Sequence, residues 1–156
     1  MSDEKLKDIL AQARNEVDQE AVAKEEARRK VVDVWQHRAD LLKELVLPRL
    51  QAAKEAWKDT VELNIQEQTT YNPSLPDRAP SVSFYIGRFS SSNPGIGGSL
   101  MYFFTITESK TFHIYEGETV KNSMDLRVGL KGETIDEEIV DKVLEIAARD
   151  YFRRNR

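Results

Sequence analysis

The sequence contains no cysteine and only two histidines among its 156 residues. The absence of cysteine excludes disulfides, thiolate chemistry and zinc sites built on cysteine. Two histidines leave few other ligands for zinc. We therefore expect neither a metal ion nor a cofactor.

Long apolar runs are also missing from the chain. The N-terminal stretch MSDEKLKDIL lacks the apolar region of a signal peptide. No stretch approaches the ~18 apolar residues that a membrane span needs. The sequence therefore predicts a cytoplasmic protein that does not enter a membrane.

Basic residues are in deficit in the C-terminal part of the chain. Residues 1–58 hold 12 basic and 12 acidic side chains, whereas residues 59–156 hold 11 basic and 15 acidic ones. The second segment therefore carries the whole net charge of −4. Because an acidic surface is a poor match for a phosphate backbone, nucleic acid is not an expected partner.

Glycine and proline are absent from residues 3–46, which predicts one long helix there. Its apolar residues recur at helical spacing: Leu6, Leu10, Ala13, Val17, Val31, Trp35, Leu42 and Val46. A helix of this length spans on the order of 65 Å, more than a compact domain of this size. It must therefore protrude, fold back or pair with another chain. Pro48 predicts either a kink, or an end near Val46 and a short second helix to Lys58.

The middle of this helix, residues 18–30, is its least apolar part. It offers three acid-first i,i+4 pairs: Glu20–Lys24, Glu25–Arg29 and Glu26–Lys30. These pairs indicate a solvated helix face, with a hinge as the alternative. Because charged residues interrupt the heptad, a short antiparallel contact or a helical bundle is favoured over a long parallel coiled coil.

Strand patterns run from about residue 60 to residue 130. Alternation predicts strands around Val61–Gln66, Ser81–Ile86 and 124–130. A run with apolar residues on both faces predicts a central strand at 100–107, and a tight turn at 108–110 leads into a further strand at 111–115. Residues 90–98 form a turn-rich connection. The short links predict an antiparallel meander of about five strands.

A C-terminal helix is expected after a capping box at Thr134 and Glu137. Its apolar stripe should pack on one face of the sheet. The predicted fold class is therefore α+β, with a helical segment at 1–58 and one globular unit at 59–156.

Catalytic chemistry has little support in the sequence. His37 lies in the long helix and is expected on its surface. His113 alternates out of the sheet core, so it can serve as a base, but the sequence shows no partner for it. Gly95, Gly97 and Gly98 do not form a phosphate loop, because a strand and not a helix follows them. We expect neither hydrolase nor transferase activity.

The face of the sheet away from the C-terminal helix has the composition of an interface. By alternation it carries Glu62, Asn64, Gln66, Tyr85, Met101 or Tyr102, Phe103, His113, Tyr115 and Arg127. Three states of this face remain open: burial under the long helix, exposure to a partner, or plain solvation.

The sequence thus predicts a non-enzymatic interaction or assembly module, with a second copy or another protein as its partner. The alternative is a small ligand-binding or catalytic domain that uses the sheet face around His113. The candidate partner-binding residues are Leu6, Leu10, Val17, Tyr85, Phe103, His113, Tyr115 and Arg127.

Overall fold

The computed structural model describes residues 3–87, 100–117 and 121–155 and has an α+β fold. Its elements are α1 (Asp3–Leu45), α2 (Leu47–Trp57), β1 (Leu63–Gln68), β2 (Ser81–Ile86), β3 (Met101–Ile106), β4 (Phe112–Gly117), β5 (Asn122–Ser123), α3 (Asp125–Val128) and α4 (Glu137–Arg154). The predicted connection at 90–98 lies outside the described residues.

The predicted long helix is confirmed as α1, which is continuous from Asp3 to Leu45. Val46 is the N-cap of α2, and Pro48 lies in the first turn of that helix. Proline is tolerated there because the first turn leaves its backbone nitrogens without intrahelical acceptors. Each of the two alternatives at Pro48 is met in part: α1 ends at Leu45 and α2 follows, but the Val46 N–H still donates to the Leu42 carbonyl over 3.0 Å, so the helical segment is bent there and no loop interrupts it.

The chain divides between Val34 and Trp35 into two compact units. We call residues 3–34 the arm, and the described residues from Trp35 onward the body. The arm consists of α1 alone, whereas the body contains the end of α1 and all the other elements.

The five strands form one antiparallel sheet in the order β1-β2-β3-β4-β5, which confirms the predicted meander. The register places Phe84 opposite Tyr102 and Tyr102 opposite Glu116. Because side chains alternate along each strand, these residues share one face of the sheet.

The core of the body lies between this face of the sheet and the helices α2 and α4. Its fully buried side chains include Leu42, Leu50, Phe84, Phe104, Ile114, Met124, Val140 and Val143. The C-terminal helix thus covers one face of the sheet, as predicted, and α2 packs beside it.

The predicted fifth strand at 124–130 is wrong. The strand β5 contains only Asn122–Ser123, and Asp125–Val128 is a short helix. Met124 and Val128 are buried, but Leu126 is 97% exposed. Their spacing of four residues brings Met124 and Val128 to one side of a helical turn, which leaves Leu126 on the other.

The predicted capping box at Thr134 is also wrong, because α4 begins two residues later than expected. Asp136 is its N-cap, and the Ile139 N–H donates to Asp136 Oδ1 over 2.9 Å. The aspartate completes the cap that the sequence assigned to the threonine.

Candidate functional site

The arm exposes an unusual amount of apolar surface. Seven of its eight large apolar side chains are between 48% and 73% exposed: Leu6, Ile9, Leu10, Val17, Val22, Val31 and Val34. The eighth, Val32, is half-buried. At 3.6 residues per turn, Leu6, Leu10, Ala13, Val17 and Val31 fall within an arc of about 60°. We call this arc the arm stripe. Val22 lies about 160° away from Leu6, on the opposite side of the helix.

Charged residues occupy the arm stripe between Val17 and Val31. Of the predicted i,i+4 pairs, Glu25–Arg29 is formed, at 3.3 Å. Within the described residues no ion pair joins Glu20 to Lys24 or Glu26 to Lys30, so these two predicted pairs are wrong. Glu20 and Lys24 therefore stay solvated on the stripe.

Glu25 binds Arg28 as well as Arg29. The Arg28 guanidinium donates to Glu25 Oε1 over 2.7 Å and to Oε2 over 3.0 Å. These hydrogen bonds lower the pKa of Glu25 to about 2. Arg28 is therefore locally neutralised over the whole physiological pH range.

The second candidate surface is the sheet face away from α2 and α4. Its residues align in rows across the strands, of which one reads Gln66, Ser83, Phe103 and Tyr115, and the next Gln68, Ser81, Thr105 and His113. The register places Met101 on this face and Tyr102 in the core, which decides the choice that the sequence left open.

Burial varies across this face. Tyr85 and Ser83 are buried, at 5% and 4% exposure, while Phe103, His113 and Tyr115 are half-buried. Lys121 Nζ lies 4.3 Å from the centre of the Phe103 ring, a distance at which a cation is attracted to the ring. The predicted aromatic residues are thus brought together on one surface.

Arg127 does not belong to that surface. It lies on α3, and its guanidinium donates to Glu116 Oε1 over 2.6 Å. Glu116 lies opposite Tyr102 and two positions after Ile114 on the same strand, so it belongs to the opposite, helix-covered face. The prediction of Arg127 on the outward face rested on the alternation of a strand at 124–130, where the structure has the helix α3.

His113 has a carboxylate partner that the sequence analysis missed. Its Nδ1 lies 2.8 Å from Asp125 Oδ2, and Asp125 Oδ1 accepts the Ile114 N–H over 2.8 Å. An ionised carboxylate only accepts hydrogen bonds, so His113 donates from Nδ1, and in the neutral form of the ring the lone pair lies on Nε2. The carboxylate thus orients the imidazole as general bases are oriented in hydrolases.

No hydroxyl group among the described residues is hydrogen-bonded to this imidazole. Thr105 is the cross-strand neighbour of His113, but no hydrogen bond joins their side chains in the part of the chain that the structure describes. The pair can hold a proton and orient a ring. On its own it lacks the hydroxyl contact that covalent catalysis needs.

A third feature of the body is a groove of 760 Å³ between α2 and α4. Four alanines, Ala52, Ala53, Ala56 and Ala148, line it together with Trp57, Leu144 and Phe152. Arg49 at its rim is bound to Asp141 at 2.6 Å, and Arg149 is bound to Glu145. Arg153 also lines the groove, and its guanidinium lies 4.0 Å from Asp150. Ion pairs thus hold all three arginines of the groove.

Metal and membrane sites find no support in the described residues. No group of three or more His, Asp or Glu side chains is placed to hold a metal ion among residues 3–87, 100–117 and 121–155. No helix within the same ranges is long and apolar enough to cross a membrane.

Comparison of the chain with protein-family models, with curated proteins and with solved structures returned no match. Function is therefore inferred from the residues of this chain alone.

Proposed function

We propose that the protein is a non-enzymatic interaction or assembly module that associates with a second copy of itself through the arm stripe. The observation that carries the proposal is the exposure of the arm, where Leu10 is 73% and Val17 61% exposed. Monomeric proteins rarely leave several such apolar residues exposed on one side of a helix, because their hydration is unfavourable.

The expected affinity follows from the surface that association removes from water. Leu10, Val17, Val31 and Val34 are each about half exposed or more. Burying the exposed part of each of these four side chains contributes about 1 kcal/mol, or on the order of 8 kcal/mol for two copies. Loss of translational and rotational freedom offsets several kcal/mol of this. About 4 kcal/mol at most is left, so we expect a weak dimer with a Kd of about 1 mM or above.

The test compares two charge substitutions on the arm in the full-length chain. Val17→Glu combined with Leu10→Glu places charges on the arm stripe and should abolish the dimer. Val22→Glu is the matched control, because Val22 is 57% exposed but lies on the other side of the helix. Light scattering coupled to gel filtration should show wild type and control dimerising alike. Equal loss in both variants would contradict the assignment of the face.

The half-buried aromatic residues on the sheet face are proposed to bind a different protein partner. Phe103 and Tyr115 are cross-strand neighbours, and aromatic residues at the centre of a surface typically dominate binding energy. The acidic balance of residues 59–156 favours a protein partner over nucleic acid. We also propose a cytoplasmic location, in keeping with the absence of cysteine.

A second candidate function is a ligand-binding or catalytic site around His113, and the hydrogen bond from its Nδ1 to Asp125 favours it. A screen of esterase, phosphatase and nuclease substrates tests this alternative. Activity that disappears in His113→Ala would establish it. Inactivity of the wild type across the screen would leave the assembly role as the better account.

A further inference from the structure

We infer that two arms pair antiparallel, with Glu20 of each copy facing Lys24 of the other. This register rests on the proposed self-association and specifies its geometry. It follows from the arm stripe, from the positions of the two charges within it, and from the point at which the arm ends.

The positions that would form the seam of a coiled coil recur at alternating steps of four and three residues. They are Leu6, Leu10, Ala13, Val17, Glu20, Lys24, Ala27, Val31 and Val34. Glu20 and Lys24 are the charged members of this series, and they are consecutive. Neither has an ion-pair partner within 4.0 Å among the described residues, so both are available to a second chain.

A parallel pair in register would place each charge against its own copy. Glu20 would face Glu20 and Lys24 would face Lys24, and like charges across a seam are destabilising. An antiparallel pair centred between these residues places Glu20 against Lys24 twice, because the dimer axis repeats each contact. The charges that disfavour one orientation thus stabilise the other.

The same antiparallel register matches the apolar positions on both sides of the charges. The facing pairs, each repeated by symmetry, are Leu10 with Val34, Ala13 with Val31, and Val17 with Ala27. Apart from the two central Glu20–Lys24 layers, every layer is therefore wholly apolar. The layers next to the charged ones contain alanine, which lets the two helices approach closely.

Residues that flank the seam give a mixed but favourable balance. Glu16 lies next to Lys30 of the second copy, which adds two further opposite-charge contacts. Arg14 lies next to Arg28 of the second copy, which is a like-charge contact. Arg28 is already bound to Glu25 at 2.7 Å, so its repulsion of Arg14 is reduced.

Antiparallel registers shifted by one heptad leave Glu20 and Lys24 without a charged partner. Shifting one arm by a heptad in one direction places Glu20 against Val17 and Lys24 against Ala13. A shift in the other direction places Glu20 against Val31 and Lys24 against Ala27. Either shift leaves all the seam charges facing apolar groups, which removes their hydration without a partner.

The end of the arm limits the pairing to residues up to Val34. The next seam residue after Val34 would be Arg38, which is 5% exposed in the body. Its Nη2 and Nε donate to the Ile106 carbonyl at 2.6 Å and 3.2 Å, so Arg38 does not face outward. The proposed contact therefore runs from Leu10 to Val34 and uses the arm up to its last residue.

Charge reversal in the full-length chain tests the register by sedimentation equilibrium. Glu20→Lys and Lys24→Glu should each raise the dimer Kd, on the order of tenfold, because each creates two like-charge contacts. The double variant Glu20→Lys with Lys24→Glu should return the Kd to that of the wild type. In a parallel dimer the single changes would leave the Kd unaltered, and that result would overturn the register.

Disulfide trapping gives an independent readout, because the chain has no cysteine of its own. Val17→Cys and Ala27→Cys variants, one carrying an affinity tag, are mixed and oxidised. The antiparallel register predicts a mixed disulfide between the two variants. Predominant cross-linking of Val17→Cys to itself would instead show a parallel pair.

The two proposals fail separately in these experiments. A wild-type chain that stays monomeric contradicts self-association and the register with it. A wild-type chain that dimerises through the arm, but whose double charge variant is not restored, contradicts the register alone.

Discussion

Replacing Asp125 by alanine should lower the free energy of unfolding by about 2–3 kcal/mol. The carboxylate accepts two hydrogen bonds, from the Ile114 N–H and from His113 Nδ1, each over 2.8 Å. Ile114 is fully buried, so alanine leaves its N–H without an acceptor at a cost of ~1–3 kcal/mol. The bond to His113 is partly exposed and contributes less, about 0.5–1 kcal/mol.

Asp125→Asn is the matched control for this change. Its Oδ1 still accepts the Ile114 N–H, and its amide can donate to Nδ1 of the other His113 tautomer. We expect a cost of under about 1 kcal/mol. His113→Phe removes only the imidazole and should cost about as little.

Urea unfolding followed by tryptophan fluorescence measures these differences, at one fixed protein concentration because dimerisation also stabilises the folded state. Two results would refute the reasoning. One is an Asp125→Ala variant within about 0.5 kcal/mol of wild type. The other is a His113→Phe variant as unstable as Asp125→Ala, since the stabilisation would then come from the imidazole and not from the Ile114 N–H.

Three further changes probe the body. Tyr102→Phe removes the bond to Asp150 and should cost about 1 kcal/mol. Burial and Asp150 raise the pKa of Tyr102 above its ordinary 10.0, so wild-type stability should fall as pH rises above that value, and urea titrations should show a smaller fall in the variant. Arg49→Lys loses the two-pronged contact with Asp141 and should lower stability slightly in the same assay. Gly132→Ala should lower stability by about 1–3 kcal/mol in thermal unfolding, because φ is +84° and the new Cβ would lie 2.9 Å from a side-chain methyl group; an unchanged midpoint would contradict this.

Most of the fold could be predicted because its signals are long or occur at fixed positions. The absence of glycine and proline predicts α1, and the ring and missing N–H of Pro48 predict the change of direction before α2. Strand β3 has apolar residues on both faces, so its central place in the sheet could be predicted from the sequence. Short links between strands then determined the antiparallel order.

The errors fall where two patterns share the same residues. Met124, Leu126 and Val128 alternate as in a strand, but Met124 and Val128 also have helical spacing, and a window this short does not separate the two. Thr134 and Asp136 are both good N-cap residues, and local sequence does not show which of them the first turn uses.

The candidate site was predictable only as far as alternation reaches. Alternation placed Phe103, His113 and Tyr115 on one face, as the register confirms. The contact between His113 and Asp125 depends on the turn into α3, and the residues of this turn alternate in the sequence as in a strand. No local signal links two residues whose contact depends on that turn, so the carboxylate partner was missed.

Whether the protein self-associates through the arm is tested most directly by sedimentation equilibrium of the unmodified full-length chain, from about 50 μM to 2 mM. Self-association predicts a monomer–dimer equilibrium whose average mass rises from 17.9 kDa toward twice that value, with a Kd of about 1 mM or above. A single species of 17.9 kDa across the whole range would contradict self-association.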